Sequence, residues 1–308
     1  IRKSLVGSEM CIRDSIFGDD PIIAVSAAVP YIMGANIGTS ITNTIVSMGH
    51  IGDKIEFKRA FSASIIHDFF NILSVAILFP LEILFGIISK SGIWLSTILV
   101  GSAEISFNSP IKLLTKPSVN FIKELTDNQQ IMNENFLLLL LAISLLFFSL
   151  RNLTKLIKSL VMFKLEAFFD THIFKTTIRA MLFGILITFL VQSSSITTSL
   201  VVPLAGAGIL KLRQIFPYTL GANIGTTMTS ILASLATGTI QSLSVAFGHL
   251  LFNIFGIVLI WPIPQLRNIP IKLASQFAEL ATQNKAYPFL YIFIVFFVIP
   301  LTLITIVR

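Results

Sequence analysis

Residues 192–199 read Gln-Ser-Ser-Ser-Ile-Thr-Thr-Ser, seven amide or hydroxyl side chains in eight positions. Across 181–266 the only formal charges are Lys211 and Arg213, so this polar run lies in an otherwise apolar half. Each such group is costly in hydrocarbon unless it finds a partner. Hydroxyl oxygens and the Gln carbonyl are hard neutral ligands, suited to a small alkali cation. Hydroxyl protons and the free backbone N–H groups of a helix start suit an oxyanion. One run could therefore face both a cation such as sodium and an anion such as phosphate. Small polar residues also let membrane helices pack closely, and for an isolated serine that is the better reading. Seven in eight, beside a duplicated glycine motif, favours the ligand reading.

The duplicated motif is PYIMGANIGTSIT at 30–42 and PYTLGANIGTTMT at 217–229, identical at nine of thirteen positions. A spacing of 187 residues suits two halves of one fold rather than a solenoid repeat. The likeness continues: His67-Asp68-Phe69-Phe70-Asn71 answers His249-Leu250-Leu251-Phe252-Asn253, and Pro80 and Pro262 each follow the asparagine by nine residues. Duplicated apolar halves, each broken by a Gly/Asn/Thr segment, are expected of a transporter with its site between the repeats. GANIGT reads as a helix interruption, with Gly34, Gly38, Gly221 and Gly225 free to adopt conformations closed to other residues. Asn36 and Asn223 would cap exposed donors, and Thr39 and Thr226 would add hydroxyls. The absence of Lys or Arg here fits cation–anion symport, the anion resting on neutral donors and co-bound cations.

Asp68 breaks the repeat symmetry, since the second half has Leu250 there. A carboxylate inside an apolar segment is by default a functional candidate. The plainer alternative is a helix-end residue at the interface, or one paired with Arg59 or His67. His67 and His249 read as hydrogen-bonding packing residues, with Asn71 and Asn253 as partners four residues on, on the same helical face.

What must position these groups is a membrane scaffold. Hydrophobic residues make up 54% of the chain and charged residues 12%, with mean hydropathy +0.87; soluble proteins carry about 25% charge. The net charge of +7 is no nucleic-acid footprint. Six basic residues (Arg151, Lys155, Lys158, Lys164, Lys175, Arg179) crowd one stretch against Glu166 and Asp170, as the positive-inside rule predicts for a cytoplasmic segment. Residues 107–135, of balanced charge and one apolar segment away, are then an external loop. The single cysteine, Cys11, rules out an intrachain disulfide.

Residues 1–15 (IRKSLVGSEMCIRDS) are neither a spanning helix nor a signal peptide. The string LVGSEMCIRDS is similar to a run that recurs at the ends of translated environmental reads. The expectation is that genuine sequence begins near Ile16 and that part of the first repeat is missing. The organisation then predicted is a first repeat over 16–106, the external loop, and a transmembrane helix with a basic amphipathic linker over 136–179. The second repeat and a final helix, Tyr287–Val307, follow over 180–308. Within these, Ile22–Met33 is too short to span and Gly52–Arg59 is a polar turn. Further apolar segments are Ala60–Ile88, Gly92–Ile105, Phe136–Leu150, Met181–Val191, Leu200–Leu210, Pro217–Ala236 and Ser242–Trp261. Several fall below the roughly 20 residues of a spanning helix, which suits re-entrant hairpins and broken helices.

VPYIMGANIGTSITNTIV at 29–46, FKRAFSASIIHDFFN at 57–71, QSSS at 192–195, PYTLGANIGTT at 217–227, HLLFNIFGIVLIWPIP at 249–264 and FFVIPLT at 296–302 together resemble the type II sodium–phosphate cotransporter family. The resemblance runs from about Ile22 to the C-terminus. It implies an all-α, polytopic membrane protein with two inverted repeats containing re-entrant helical hairpins and broken helices. It implies sodium-coupled, electrogenic symport of inorganic phosphate by alternating access, with sodium as co-substrate, no other cofactor, and no enzymatic activity. Carried over, Gln192, Ser193, Thr226 and Thr229 contribute to a sodium site, and Ser194 and Ser195 face phosphate. Asn36, Thr39 and Asn223 stand near the phosphate. Asp68 matches the aspartate of electrogenic members and implies a further sodium ion. The first-half partner of QSSS falls at residues 5–8, where this chain has Leu5-Val6-Gly7-Ser8. The external loop lacks cysteines and any Asn-x-Ser/Thr acceptor, which points to a bacterial relative in the inner membrane. Two other readings compete. One is a phosphate exporter or regulatory membrane protein of the same fold; the other is an intramembrane hydrolase using Ser193–Ser195 with His249 and Asp68, for which no adjacent base activates a serine.

Overall fold

The computed structural model describes residues 21–101, 173–237, 240–284 and 286–298, and among these every regular element is helical. The first half supplies α1 (Pro21–Gly38), α2 (Ile41–Ser47) with a 3-10 turn at Met48–His50, α3 (Lys54–Phe85) and α4 (Ile87–Gly101). The second supplies α5 (Thr177–Val191), α6 (Ser194–Gly206), α7 (Leu212–Thr237), α8 (Ile240–Ile260), α9 (Pro264–Gln283) and α10 (Ala286–Phe293), which continues as a π turn over Ile294–Val298. The expected counterpart of QSSS at 5–8, the loop 107–135, the helix 136–150 and most of the basic stretch lie outside the described residues, as does the end of the final helix.

Two described helices, α3 (32 residues) and α8 (21 residues), are long and apolar enough to cross a membrane. Large apolar side chains such as Leu84, Trp94, Leu182, Leu190 and Phe289 are more than half exposed, while side chains such as Ser47, Asp68, Asn71 and Thr197 are buried. That inversion of the soluble pattern suits a helical membrane protein with lipid on its outside.

Several boundaries differ from the sequence expectation. The polar turn closes at Asp53 rather than Arg59: Asp53 Oδ1 accepts from Ile55 N and Glu56 N and starts α3. The Glu56 and Ile55 N–H groups hold its carboxyl below the usual range. GANIGT does not interrupt α7, which runs unbroken from Leu212 to Thr237; in the first half the break comes only after Gly38. The second-half glycines serve close approach instead. A Cβ on Gly221 would run into the Met181 carbonyl of α5, and one on Gly225 would lie 2.6 Å from Thr188 Cβ and 2.8 Å from the Ile185 carbonyl. The amphipathic α9 was not expected at all. It buries Ala274, Ala278 and Ala281 against the helix α3, to which Glu279 is also tied by an ion pair with Lys58.

The two halves interlock. The helix that follows α3, α4, packs on α8, and the helix that follows α8, α9, packs on α3. At the α3–α8 crossing a Cβ on Gly256 would stand 2.7 Å from Ser74 Oγ. Ser74 and Gly256 each lie three residues beyond the motif asparagine, so the two helices cross at equivalent positions.

Glu82 is a polar clamp that sequence reasoning passed over. Gly86, at φ 62, ends α3, and the Glu82 carboxylate then reaches across the bend to accept from Ile88 N at 2.6 Å, from Ser89 N and from the Ser89 hydroxyl. It thereby caps α4 from within the hairpin, at 7% exposure. Glu82→Ala would strand these donors, and a loss of about 2 kcal/mol is expected. Thermal unfolding in detergent, compared with the parent protein, measures it.

Candidate functional site

The hydroxyl run forms the bend and first turns of a helical hairpin. Gln192 ends α5 in the left-handed region (φ 56), its N–H bonded to Thr188 O at 2.7 Å. Among the described residues it is the only non-glycine with positive φ. Ser193 is the N-cap of α6, its hydroxyl accepting from Ile196 N at 3.3 Å. Thr197 and Thr198 bond back to the carbonyls of Ser193 and Ser194. The α6 N-terminus thus carries the positive end of a helix dipole. Left-handed backbone costs a side chain about 1 kcal/mol or more, and strain kept at such a bend points to function. Gln192→Gly is expected to raise stability by about 1 kcal/mol; thermal unfolding in detergent, compared with the parent protein, measures it.

The first-half motif is bonded directly to this helix. Ser195 Oγ donates to Thr39 O at 2.9 Å, at the break between α1 and α2. Asn43 on α2 donates to Thr198 Oγ1 at 2.8 Å, and Ser199 Oγ donates to Asn43 Oδ1 at 2.8 Å. Two of the expected phosphate residues, Ser195 and Thr39, therefore meet across the two halves. Asn43 was not singled out from sequence, although it lies within the quoted motif; its amide is the piece that ties α2 to α6.

A second network joins the two motif asparagines. Asn71 Nδ2 donates to Asn36 O at 2.6 Å, and Asn223 Nδ2 donates to Asn71 Oδ1 at 3.1 Å. His67 Nε2 lies 2.6 Å from Asn223 Oδ1. The same nitrogen lies 3.4 Å from Asn71 Nδ2, and the buried Nδ1 has no partner. Asn36 O also accepts from Thr39 Oγ1 at 2.9 Å. The Asn36 amide itself bonds to Ile32 O within α1. Neither asparagine caps a broken helix: Asn36 turns back on its own helix, and the Asn223 side chain is engaged by His67 and Asn71.

Thr226 and Thr229 bond to Ala222 O and Thr226 O on their own helix, and Gln192 is exposed. Ser194 is 5% exposed. Apart from that bond between Thr229 and Thr226, none of the hydrogen bonds described joins these four residues to one another. Asp68 stands apart from them too. It is fully buried midway along α3, which removes the helix-end reading, and it pairs with neither Arg59 nor His67. Tyr291 Oη of α10 donates to its Oδ2 at 2.6 Å. Oδ1 has no partner, and the Ser40 hydroxyl is a second polar neighbour. Sequence carried no signal for Tyr291 beyond the need of any buried tyrosine hydroxyl for a partner. No group of three His, Cys, Asp or Glu that could hold a metal occurs among the described residues; the oxygens on offer are hydroxyl, amide, carbonyl and a single carboxylate.

Residues 145–269, which include α5 to α8, match the family model described as Na+/Pi-cotransporter. Over 91% of its length the chain is 32% identical to sodium-dependent phosphate transport protein 2B of Bos taurus and of Homo sapiens, covering 53% and 54% of those proteins. It is also 32% identical to protein 2A of Rattus norvegicus, over 91% of the chain and 55% of that protein. Over residues 145–269 the likeness is to the Na+/Pi-cotransporter family. It spans about half the length of the curated relatives it matches. No solved structure matches it. The hairpin bend at Gln192–Ser195 offers amide and hydroxyl groups at a helix start, and Asp68 offers a buried carboxylate.

Proposed function

We propose that this protein is a sodium-coupled symporter of inorganic phosphate in the plasma membrane, the inner membrane of a bacterium. The observation that carries this is the junction of Ser195 with Thr39 and of Thr198 and Ser199 with Asn43. It sets the hydroxyl-rich N-terminus of α6 against the break in the first-half motif. Phosphate rests there on Ser194 and Ser195, with the Asn36, Thr39 and Asn223 segments alongside, and Gln192, Ser193, Thr226 and Thr229 supply oxygens to sodium. The names of the relatives, sodium-dependent phosphate transport proteins, support the same substrates.

The halves are inverted repeats that rock about this junction, giving alternating access. The exchange of α4 and α9 between α3 and α8, and the crossing at Ser74 and Gly256, support that arrangement. At 15 and 13 residues, α5 and α6 are each too short to span the bilayer alone and form a re-entrant hairpin. Asp68 binds a further sodium ion, so each cycle moves net charge.

The test is uptake of radiolabelled phosphate into proteoliposomes holding the full-length protein, with and without an imposed sodium gradient. Uptake driven by sodium is the expected result. Uptake indifferent to sodium would remove the symport reading and favour an exporter or regulatory protein of the same fold.

A further inference from the structure

The residue that meets Asp68 comes from outside both duplicated motifs. Tyr291 lies on the closing helix α10 and is 6% exposed. Its ring is hemmed by Phe277 at 5.0 Å, Phe61 at 6.1 Å, Phe296 at 6.3 Å and Phe69 at 6.5 Å between centroids. The hydroxyl therefore cannot swing away from Asp68 without moving the ring or the helix. Three residues later the backbone widens into the π turn Ile294–Val298, a geometry that marks functional sites in helices. The two carboxylate oxygens are treated differently: Oδ2 accepts from Tyr291, while Oδ1 is buried without a hydrogen bond of its own, the Ser40 hydroxyl being the carboxyl's other polar neighbour.

We infer that Tyr291 is a positioning residue for the Asp68 cation: it pins Oδ2, presents Oδ1 to the ion, and ties the closing helix to occupancy of the site. The inference rests on the reading, above, that Asp68 takes sodium. A neutral donor is the right kind of partner for this task. Lysine or arginine at the same place would cancel the carboxylate charge and leave nothing for an alkali cation to neutralise, whereas a phenol hydroxyl orients the group and leaves its charge in place. Without the hydroxyl the carboxylate turns about its last torsion, and sodium must then bind an unpositioned ligand.

Tyr291→Phe keeps the aromatic packing and removes only the donor. In full-length protein reconstituted into proteoliposomes, the sodium concentration for half-maximal phosphate uptake is expected to rise about tenfold, the scale of a lost hydrogen bond to a charged group. The maximal rate and the phosphate half-saturation at saturating sodium stay as they were. In an Asp68→Gly background the same change produces no shift. A half-saturating sodium concentration that is unchanged or lower would overturn the inference. So would an equal shift in the Asp68→Gly background, or a shift in phosphate affinity alone. Should Tyr291→Phe lower the thermal midpoint, the sodium concentration that gives half of the sodium-induced rise in midpoint decides instead, with the same tenfold expectation. If the parent protein takes up phosphate without sodium, or if Asp68→Gly keeps the full voltage response, the Asp68 reading fails and takes this one with it. A parent-like Tyr291→Phe beside a responsive Asp68→Gly sinks the positioning role alone.

Discussion

Gly221→Leu should prevent the second half from assembling, with a destabilisation of at least about 3 kcal/mol. Even Gly221→Ala places a Cβ against the Met181 carbonyl, carbonyl carbon and Cα. These are backbone atoms, so no side chain can give way, and the α5–α7 interface must open. That interface also depends on Gly184, whose Cβ would run into Tyr218 O, so the contact is tight from both sides. Opening it would carry α5 away from α7 and shift the Gln192 bend and the α6 N-terminus with it. Gly248→Ala is the matched control. Its Cβ would meet only Ile88 Cγ2 at 3.6 Å and Ile32 Cδ1 at 3.8 Å, ordinary van der Waals distances, and the variant should unfold within about 1 kcal/mol of the parent. Yields of monodisperse protein and thermal midpoints in detergent give the comparison. Parent-like stability of the Gly221 variants would mean that α5 and α7 are not in close contact.

The two glycines in that comparison each sit in an apolar helix, and nothing in their sequence neighbours shows how close another backbone comes. What differs is the neighbour, and neighbours are a tertiary fact. The duplicated motif, the hairpin bend at Gln192–Ser193 and the special place of Asp68 were legible, because polar groups in an apolar chain need partners wherever the chain takes them. The unbroken course of α7 was not legible: glycine permits a break without requiring one, and here the α5 backbone uses the missing side chains. Asn43 and Tyr291 escaped notice because a single amide or phenol carries no periodicity. Their roles arise from partners 155 and 223 residues distant in the chain. Helix α9 escaped because its exposed face is polar enough to read as a loop between spans, while the alanines of its other face bury against α3.

Asp68→Gly is expected to abolish the voltage response of transport while sodium-driven uptake continues at a reduced rate. The buried carboxylate lies midway along a 32-residue helix and takes its described hydrogen bond from a neutral hydroxyl. On the proposed reading the empty carrier holds this carboxylate as an uncompensated negative charge, and sodium at Oδ1 cancels it. When the empty site crosses the field, a full charge couples to the potential by about 2.3 kcal/mol per 100 mV, so membrane voltage biases that step strongly. Glycine removes both the charge and the ion that neutralises it, and the dependence of uptake on sodium concentration should also become less steep. Asp68→Asn offers a second test that preserves shape, because its amide oxygen can still accept from Tyr291. Relief of a buried charge should make this variant more thermostable than the parent, and it should be equally insensitive to voltage. Uptake under valinomycin-clamped potentials measures both variants. A voltage response that persisted in the two of them would place the moving charge elsewhere, and the buried carboxylate would then be a structural partner for Tyr291 alone.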